Sequence, residues 1–202
     1  MNKGCLYIVS GPSGSGKDTI LKEVFSKCPE LFFSISSISR PMRPGEVEGE
    51  KYHFISKDEF LKLIEDDMLL EYNQFCGNYY GSPKKPIMDA ISSGKDAVLE
   101  VDVNGAAQVR RAMPDAVSIF IMPPSYAELH RRLSGRGTET EEVIAARMKT
   151  ALEEIGRAAE YDFIVVNDVL SDAVDDFISV IRSQKLLLGK QKNIIDEVLK
   201  NA

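Results

Sequence analysis

Hydrophobic residues along the chain fall into two alternating patterns. Short, nearly continuous apolar runs are typical of parallel strands buried on both faces. They predict strands at Leu6–Ser10, Phe33–Ser36, Ala97–Val101, Val117–Met122 and Phe163–Val166. Segments with helical spacing lie between them and predict helices at Gly16–Ser26, Lys84–Ser92, Gly105–Ala112, Tyr126–Leu133, Glu141–Ala159 and Asp172–Leu188. Thr140 and Ser171 are the predicted N-caps of the last two helices. This alternation predicts an α/β fold in which helices cover both faces of a parallel-sheet core.

Two stretches interrupt this alternation. Residues 37–83 are rich in Arg, Pro, Gly, Tyr and charge, and they predict an insertion of mixed strands and loops with a short helix near Lys57–Ile64. Residues 134–147 form a polar Gly/Arg/Thr loop whose composition suits a mobile lid. We therefore expect one domain, with a core of residues 1–36, 84–133 and 148–188, the insertion 37–83, the lid 134–147 and a C-terminal helix 189–202.

Composition narrows the classes of partner. The chain carries 25 Lys+Arg against 31 Asp+Glu, a formal net charge of -6, which argues against non-specific nucleic-acid binding. A few clustered arginines can still attract an anionic small ligand. Three cysteines without C-x-x-C spacing predict neither a disulfide framework nor a zinc site. The apolar run Cys5–Val9 is too short for a signal peptide or a membrane span, so we expect a cytoplasmic protein without membrane contact.

The strongest single motif is GPSGSGK, which follows a predicted strand and opens a predicted helix, the context that a phosphate-binding P-loop requires. Glycines let the backbone turn its N–H groups toward phosphate oxygens, and the helix N-terminus adds positive potential. The residue after the lysine is Asp18, where the motif asks for Ser or Thr. Either Mg²⁺ is held mainly through water and ligand phosphates, or Asp18 or Thr19 substitutes. The candidate ATP-binding residues here are Gly11, Pro12, Ser13, Gly14, Ser15, Gly16, Lys17, Asp18 and Thr19.

The insertion carries the chemistry of a second anion site. Arg40 and Arg43, made rigid by Pro41 and Pro44, form a fork suited to a phosphate dianion. Tyrosine hydroxyls further along can donate to the same oxygens. A solvated surface loop would explain any one of these residues, but it does not explain the ordered set.

Together these segments resemble the guanylate kinase family. The resemblance runs from about Leu6 to Asp168 and rests on the P-loop, SRPMRPGE with the following Tyr-x-Phe, EYNQFCGNYYGS, LEVDVNG, RRLSGRGTETEE and VVND, in the family's order. It implies a P-loop nucleoside monophosphate kinase fold, with an inserted GMP-binding region and a lid. It also implies an enzyme that transfers the γ-phosphoryl group of ATP to GMP with Mg²⁺.

The resemblance also implies the residues of the GMP site. Arg40, Arg43, Tyr52 and Tyr80 would bind the GMP phosphate. Glu71 and Asp102 would accept hydrogen bonds from guanine N1–H and its 2-amino group, and adenine would leave such a carboxylate unpaired. Sites of this kind discriminate by about 10⁴–10⁵. The implied set is Ser36, Arg40, Arg43, Glu46, Tyr52, Glu71, Tyr80, Ser82, Glu100 and Asp102. None of these residues is expected to read the sugar 2′-hydroxyl, so dGMP is an expected substrate.

On the donor side, the resemblance implies that Arg132, Arg136 and Arg147 close on the ATP phosphates with Lys17, and that Arg136 and Asn167 flank the adenine. Arginines stabilise the negative charge of in-line phosphoryl transfer. The family's Mg²⁺ contact through water corresponds to Glu100, with Asp18 as a second candidate. The alternative for Glu100 is a strand-end carboxylate paired with Lys17.

Two other functions stay open at this point. One is a non-catalytic guanylate-kinase-like module that binds a phosphopeptide, although such modules typically lose the P-loop lysine or the lid arginines. The other is a different P-loop small-molecule kinase or ATPase, against which Glu71 and Asp102 argue.

Overall fold

The computed structural model of the protein describes residues 3–135 and 140–200, apart from the side chains of residues 192 and 193. In chain order the strands are β1 (Leu6–Ser10), β2 (Phe32–Phe33), β3 (Ser36–Ile38), β4 (Tyr52–Phe54), β5 (Leu69–Phe75), β6 (Asn78–Pro83), β7 (Ala97–Glu100), β8 (Val117–Met122) and β9 (Phe163–Val166). The helices are α1 (Lys17–Lys27), α2 (Lys57–Glu65), α3 (Lys84–Ser92), α4 (Val103–Ala112), α5 (Tyr126–Ser134), α6 (Glu141–Ile155), α7 (Leu170–Lys185) and α8 (Leu188–Lys200), with a 3₁₀ turn at Ala158–Glu160.

The core is a parallel sheet of five strands in the order β2-β7-β1-β8-β9. Side chains alternate across β1, so that Tyr7 and Val9 pack on one face with α1 and α7, whereas Leu6 and Ile8 pack on the other with α3 and α4. The predicted α/β fold with helices on both faces is confirmed. The carboxyl ends of β1 and β7 meet at one edge, where ligands bind in open parallel sheets.

A second sheet of four strands, in the order β4-β3-β6-β5, occupies the segment from Ser36 to Pro83. Strands β5 and β6 form an antiparallel hairpin, and β3 pairs with β6 antiparallel and with β4 parallel. The single strand predicted at Phe33–Ser36 is wrong. Ser34 N still donates to Val98 O of the core at 2.9 Å, but Ser36 already pairs with Tyr52 of the second sheet, so the chain changes sheets inside the predicted strand.

Helix ends follow local capping. Thr140 is the N-cap of α6, as predicted. The predicted cap Ser171 is wrong, because α7 begins at Leu170 with Val169 as its N-cap. Helix α6 ends at Ile155, before the predicted Ala159, and the predicted helix Asp172–Leu188 ends at Lys185. In place of the predicted start at Gly105, α4 begins at Val103, because the Asp102 carboxylate caps it.

Helices α5 and α6 pack on each other through a small cluster of their own, formed by Leu129, Leu133, Met148 and Ala151. This pair places the arginine-bearing face of α5 next to the loop after β1. Within residues 3–135 and 140–200, no helix has the length and apolar character needed to cross a bilayer.

Candidate active site

A cleft of about 740 Å³ opens between the carboxyl edge of the core sheet and the second sheet. Its lining brings together residues that lie far apart in sequence. From the candidate residues it includes Gly11, Pro12, Ser13, Gly14, Gly16, Lys17, Asp18, Thr19, Ser36, Arg43, Tyr52, Glu71, Tyr80, Glu100, Asp102 and Arg132. The loop after β1 and the Glu71 and Asp102 carboxylates therefore share one cleft.

The loop after β1 has the backbone shape of a phosphate cradle. Gly14 and Gly16 have φ values of 86° and 88°, which L side chains rarely adopt. At Gly16 a Cβ atom would also lie 2.2 Å from Asn167 Nδ2, so a side chain is excluded on two counts. The Lys17 ammonium donates to Gly11 O at 2.6 Å and to Pro12 O at 3.3 Å. Burial lowers the pKa of Lys17, against the opposing charges of Glu100, Glu154 and Asp18.

Arg132 and Asn167 support this loop from behind. Asn167 is buried, and its Nδ2 donates to Ser15 O at 2.7 Å. Arg132 donates to Asn167 O at 2.9 Å and to Ser15 O at 3.3 Å. Its Nε also donates to Glu128 Oε1 at 2.7 Å. The Ser15 hydroxyl is buried, and no hydrogen-bond partner for it lies among the described residues. Arg132 also lines the cleft, whereas Asn167 does not.

Helix α6 adds two side chains beside the loop after β1. Arg147 Nη2 donates to the Ser13 hydroxyl at 2.7 Å. Glu154, two helical turns further along α6, also lines the cleft, and burial raises its pKa against the charge of Lys17. Sequence reasoning missed Glu154, although its position on the same helical face as Arg147 is a usable signal. The third predicted lid arginine, Arg136, lies outside the described residues.

The two arginines of the insertion occupy different depths. Arg43 lines the cleft. Arg40 is 9% exposed and forms a bidentate pair with Glu46 at 2.7 and 2.5 Å, beside the rings of Tyr52 and Phe54. Glu46 also accepts from the Arg43 backbone N–H at 2.7 Å. Hydrogen bonds from Arg40 and from the Arg43 backbone lower the pKa of Glu46 to about 2. Glu46 therefore contacts both arginines, and neither it nor Arg40 lines the cleft.

Glu71 is the most buried carboxylate of the site, with a relative exposure of 6%. Its Oε1 accepts from the Ser82 hydroxyl at 2.6 Å, and Ser36 Oγ lies 3.5 Å from Ser82 Oγ. Burial raises the pKa of Glu71 to about 7, with a further contribution from the charge of Asp102. A Cβ atom at position 105 would lie 2.7 Å from Glu71 Oε2, so α4 needs glycine at this position.

Asp102 serves α4 and faces the cleft at the same time. Its Oδ1 accepts from the N–H groups of Asn104 and Gly105, each at 2.8 Å, and its Oδ2 accepts from Asn73 Nδ2 at 3.1 Å. Asn73 is a cleft residue that sequence reasoning missed. Its side chain fixes Asp102 Oδ2 from the second sheet.

Lys51 also lines the cleft, and sequence reasoning missed it as well. Its ammonium contacts the Asp18 carboxylate and lies 3.1 Å from Glu100 Oε2. The alternative pairing of Glu100 with Lys17 is therefore wrong in this structure, since Lys17 donates to loop carbonyls. Lys51 belongs to no recognisable motif, and its sequence context is that of an ordinary lysine in a charged loop.

The family model, several relatives and one solved structure indicate the same family. The family model for guanylate kinase matches residues 3–184. Guanylate kinase from Carboxydothermus hydrogenoformans is 47% identical over 186 residues, covering 92% of this chain and 91% of that protein. Guanylate kinase from Escherichia coli K12 is 44% identical over 201 residues, covering 98% and 97%. The crystal structure of guanylate kinase from Anaplasma phagocytophilum superimposes with a TM-score of 0.75 at 31% identity, covering 93% of this chain and 89% of the other.

Proposed function

The chain belongs to the guanylate kinase family, and from this premise we propose how its cleft transfers the γ-phosphoryl group of ATP to GMP, giving ADP and GDP. The observation that carries the proposal is that Lys17 of the phosphate loop and the Glu71 and Asp102 carboxylates line the same cleft. A donor loop alone would suit any nucleotide triphosphatase, and carboxylates alone would suit many ligands. Their common cleft suits transfer between two nucleotides.

On the donor side, the loop N–H groups and the N-terminus of α1 bind the ATP phosphates. Lys17 leaves its present carbonyl acceptors, Gly11 O and Pro12 O, for phosphate oxygens. Arg132, held by Glu128 and Asn167 O, supports the loop and presents charge to the cleft. Arg147, already at the Ser13 hydroxyl, adds a second guanidinium to the same phosphates, together with Arg136.

On the acceptor side, Arg43, Tyr52 and Tyr80 face the cleft, where they bind the GMP phosphate. Arg40, which pairs with Glu46 outside the cleft lining, exchanges that carboxylate for the GMP phosphate. The Glu71 carboxylate accepts from guanine N1–H and the 2-amino group, with Asp102, Ser36 and Ser82 around it. Adenine would place an N1 lone pair against this carboxylate. A buried acceptor left without its donor is costly, which favours guanine. The contacts assigned here involve phosphate and base, so dGMP is also a substrate.

The family's reaction implies Mg²⁺, and the residues present fit it. Asp18 and Glu100 both line the cleft beside the phosphate loop, so their carboxylates lie on the side where the ATP phosphates bind. Mg²⁺ prefers carboxylates, phosphates and water as ligands. Within residues 3–135 and 140–200, no group of three or more His, Cys, Asp or Glu side chains is placed to hold a metal, so Asp18 and Glu100 would act through water and substrate phosphates. When bound, the ion neutralises charge on the transferring phosphoryl group.

The reaction needs no general base, because the attacking GMP phosphate oxygen is anionic at neutral pH. The chain's work is to align two polyanions and to offset their repulsion, for which Lys17 and the arginines supply positive charge. We place the reaction in the cytoplasm, in keeping with the free thiols of Cys5, Cys28 and Cys76.

The test is ADP release from ATP and Mg²⁺ with each nucleoside monophosphate in turn. Release with GMP and dGMP alone, lost in Lys17→Ala and with a chelator, is the expected result. Lys62→Ala, on an outer helix of the insertion, is the matched charge control. Equal release with AMP or UMP would contradict the assignment of Glu71. GMP binding without any release would instead support a binding module.

A further inference from the structure

Lys51 connects the second sheet to the core through charge. It precedes β4, yet its ammonium contacts Asp18 at the start of α1 and Glu100 at the end of β7, the latter at 3.1 Å. The three side chains are exposed to 39%, 75% and 14%, respectively. One cation therefore links three segments that line the cleft.

Asp18 creates an electrostatic conflict at this place. An acidic residue in the first turn of α1 is favourable for the helix. The same helix end, however, attracts the phosphates of a nucleotide. A carboxylate directly after Lys17 repels those phosphates, and repulsion grows as the cleft loses water. Glu100 adds a second negative charge.

Lys51 is placed to resolve this conflict. Its ammonium contacts the Asp18 carboxylate and lies 3.1 Å from Glu100 Oε2. Opposite charges this close attract each other, and more strongly beside a protein surface than in bulk water. The charge of Asp18 is therefore offset by a cation from the second-sheet side of the cleft.

We propose that Lys51 is a positioning residue for the phosphoryl donor. By pairing with Asp18 and Glu100, it allows a phosphate loop that contains Asp18 to bind a nucleotide. The same contacts connect the insertion to the phosphate loop. The proposal rests on the proposed function of the cleft as a nucleotide site. On this proposal the effect of Lys51 on nucleotide affinity depends on the presence of Asp18. A role of Lys51 in folding alone would not depend on Asp18.

A double-mutant cycle tests this dependence without turnover. The dissociation constant of ADP is measured by calorimetry, without GMP and without Mg²⁺, for the wild type, Lys51→Met, Asp18→Ser and the double variant. Lys51→Met should weaken ADP binding by about tenfold when Asp18 is present. With Asp18→Ser in the same chain, the loss should fall below about threefold, because the charge that Lys51 neutralises is gone.

Three further measurements separate charge from folding. Lys51→Arg should retain most of the affinity, and the loss in Lys51→Met should shrink as salt rises from about 0.05 to about 0.5 M. Lys84→Met removes a lysine that pairs with Asp67 outside the cleft lining, and it should leave ADP binding unchanged. Equal losses with and without Asp18→Ser, at any salt, would overturn the proposal. If the wild-type chain binds ADP but forms no ADP from ATP and GMP, the proposed function is contradicted and the mutant cycle can still be interpreted. If the wild-type chain binds no ADP, both proposals are overturned.

Discussion

The hydroxyl of Ser82 donates to Glu71 Oε1 at 2.6 Å, inside a pocket where burial raises the pKa of Glu71 to about 7. In the proposed complex guanine donates to the charged Glu71 carboxylate, so GMP binding must release a proton wherever Glu71 is protonated. We predict that GMP affinity rises with pH and levels off above about 8. Below about pH 7 it should fall by up to about tenfold per pH unit. Calorimetric titration in buffers of different ionisation enthalpy measures both the affinity and the released proton.

The control for this titration is Glu71→Gln, whose amide oxygen can still accept from Ser82. The GMP phosphate titrates in the same range, and this variant retains that contribution while it removes the one from Glu71. A pH slope as steep in Glu71→Gln as in the wild type would contradict the assignment.

The same raised pKa has a consequence for stability. The Glu71 carboxyl binds its proton more tightly in the folded chain, with a pKa of about 7 against an ordinary value of 4.5. Its stabilising contribution is therefore complete below about pH 4.5 and is lost as pH rises through about 7. At pH 8 the buried charge costs up to about 3 kcal/mol. We predict that Glu71→Gln raises the Tm of the ligand-free chain by several degrees at pH 8, and by much less at pH 5.

Scanning calorimetry without nucleotide checks this prediction. Glu59→Gln, an exposed capping carboxylate on α2 whose pKa is lowered by Ser56, is the opposite control and should not gain stability at pH 8. A Tm for Glu71→Gln that is unchanged at pH 8 would mean that the Glu71 charge is solvated in the folded chain.

A third prediction about this pocket concerns Gly105. Replacing glycine by alanine inside a helix normally stabilises it by about 1 kcal/mol. At Gly105 the new Cβ would lie 2.7 Å from Glu71 Oε2 and 3.2 Å from Val101 Cβ, so Glu71 must move. We predict that Gly105→Ala weakens GMP binding by at least about tenfold and leaves ADP binding at the phosphate loop within about twofold.

Separate calorimetric titrations with GMP and with ADP distinguish these effects. Gly189→Ala is the matched control, because this helical glycine has open space around its Cβ position. If Gly105→Ala binds GMP as the wild type does, the Glu71 carboxylate is not held against α4 as described.

The sequence predicts the core sheet well because its strands are continuous apolar runs, and their burial on both faces follows from that pattern. It fails at Phe33–Ser36, where four residues that alternate between apolar and polar contain both the end of β2 and the start of β3. Strand β3 has three residues, and its pairing with β4 and β6 depends on contacts distant along the chain. Local pattern carries no information about those pairings.

The site shows the same division. The phosphate loop is contiguous, so its motif identifies all of its residues at once. Lys51 and Asp18 are 33 positions apart, and their contact exists because the second sheet folds over the start of α1. Asn73 and Glu154 reach the cleft through strand register and helix packing. Their residue types are common on surfaces, so composition does not single them out.

Asn167 allows a sharp choice between two roles on the donor side. The family resemblance implies that it flanks the adenine, while its buried Nδ2 donates to Ser15 O at 2.7 Å. Loss of one such hydrogen bond is worth about 1–1.5 kcal/mol, or roughly tenfold in affinity. We predict that Asn167→Ala weakens the binding of ADP and of inorganic tripolyphosphate by the same factor, because tripolyphosphate has no base. Asp168→Ala, at the exposed neighbouring position, should affect neither. A loss confined to ADP would assign Asn167 to the adenine, since support of the phosphate loop must act on both ligands alike.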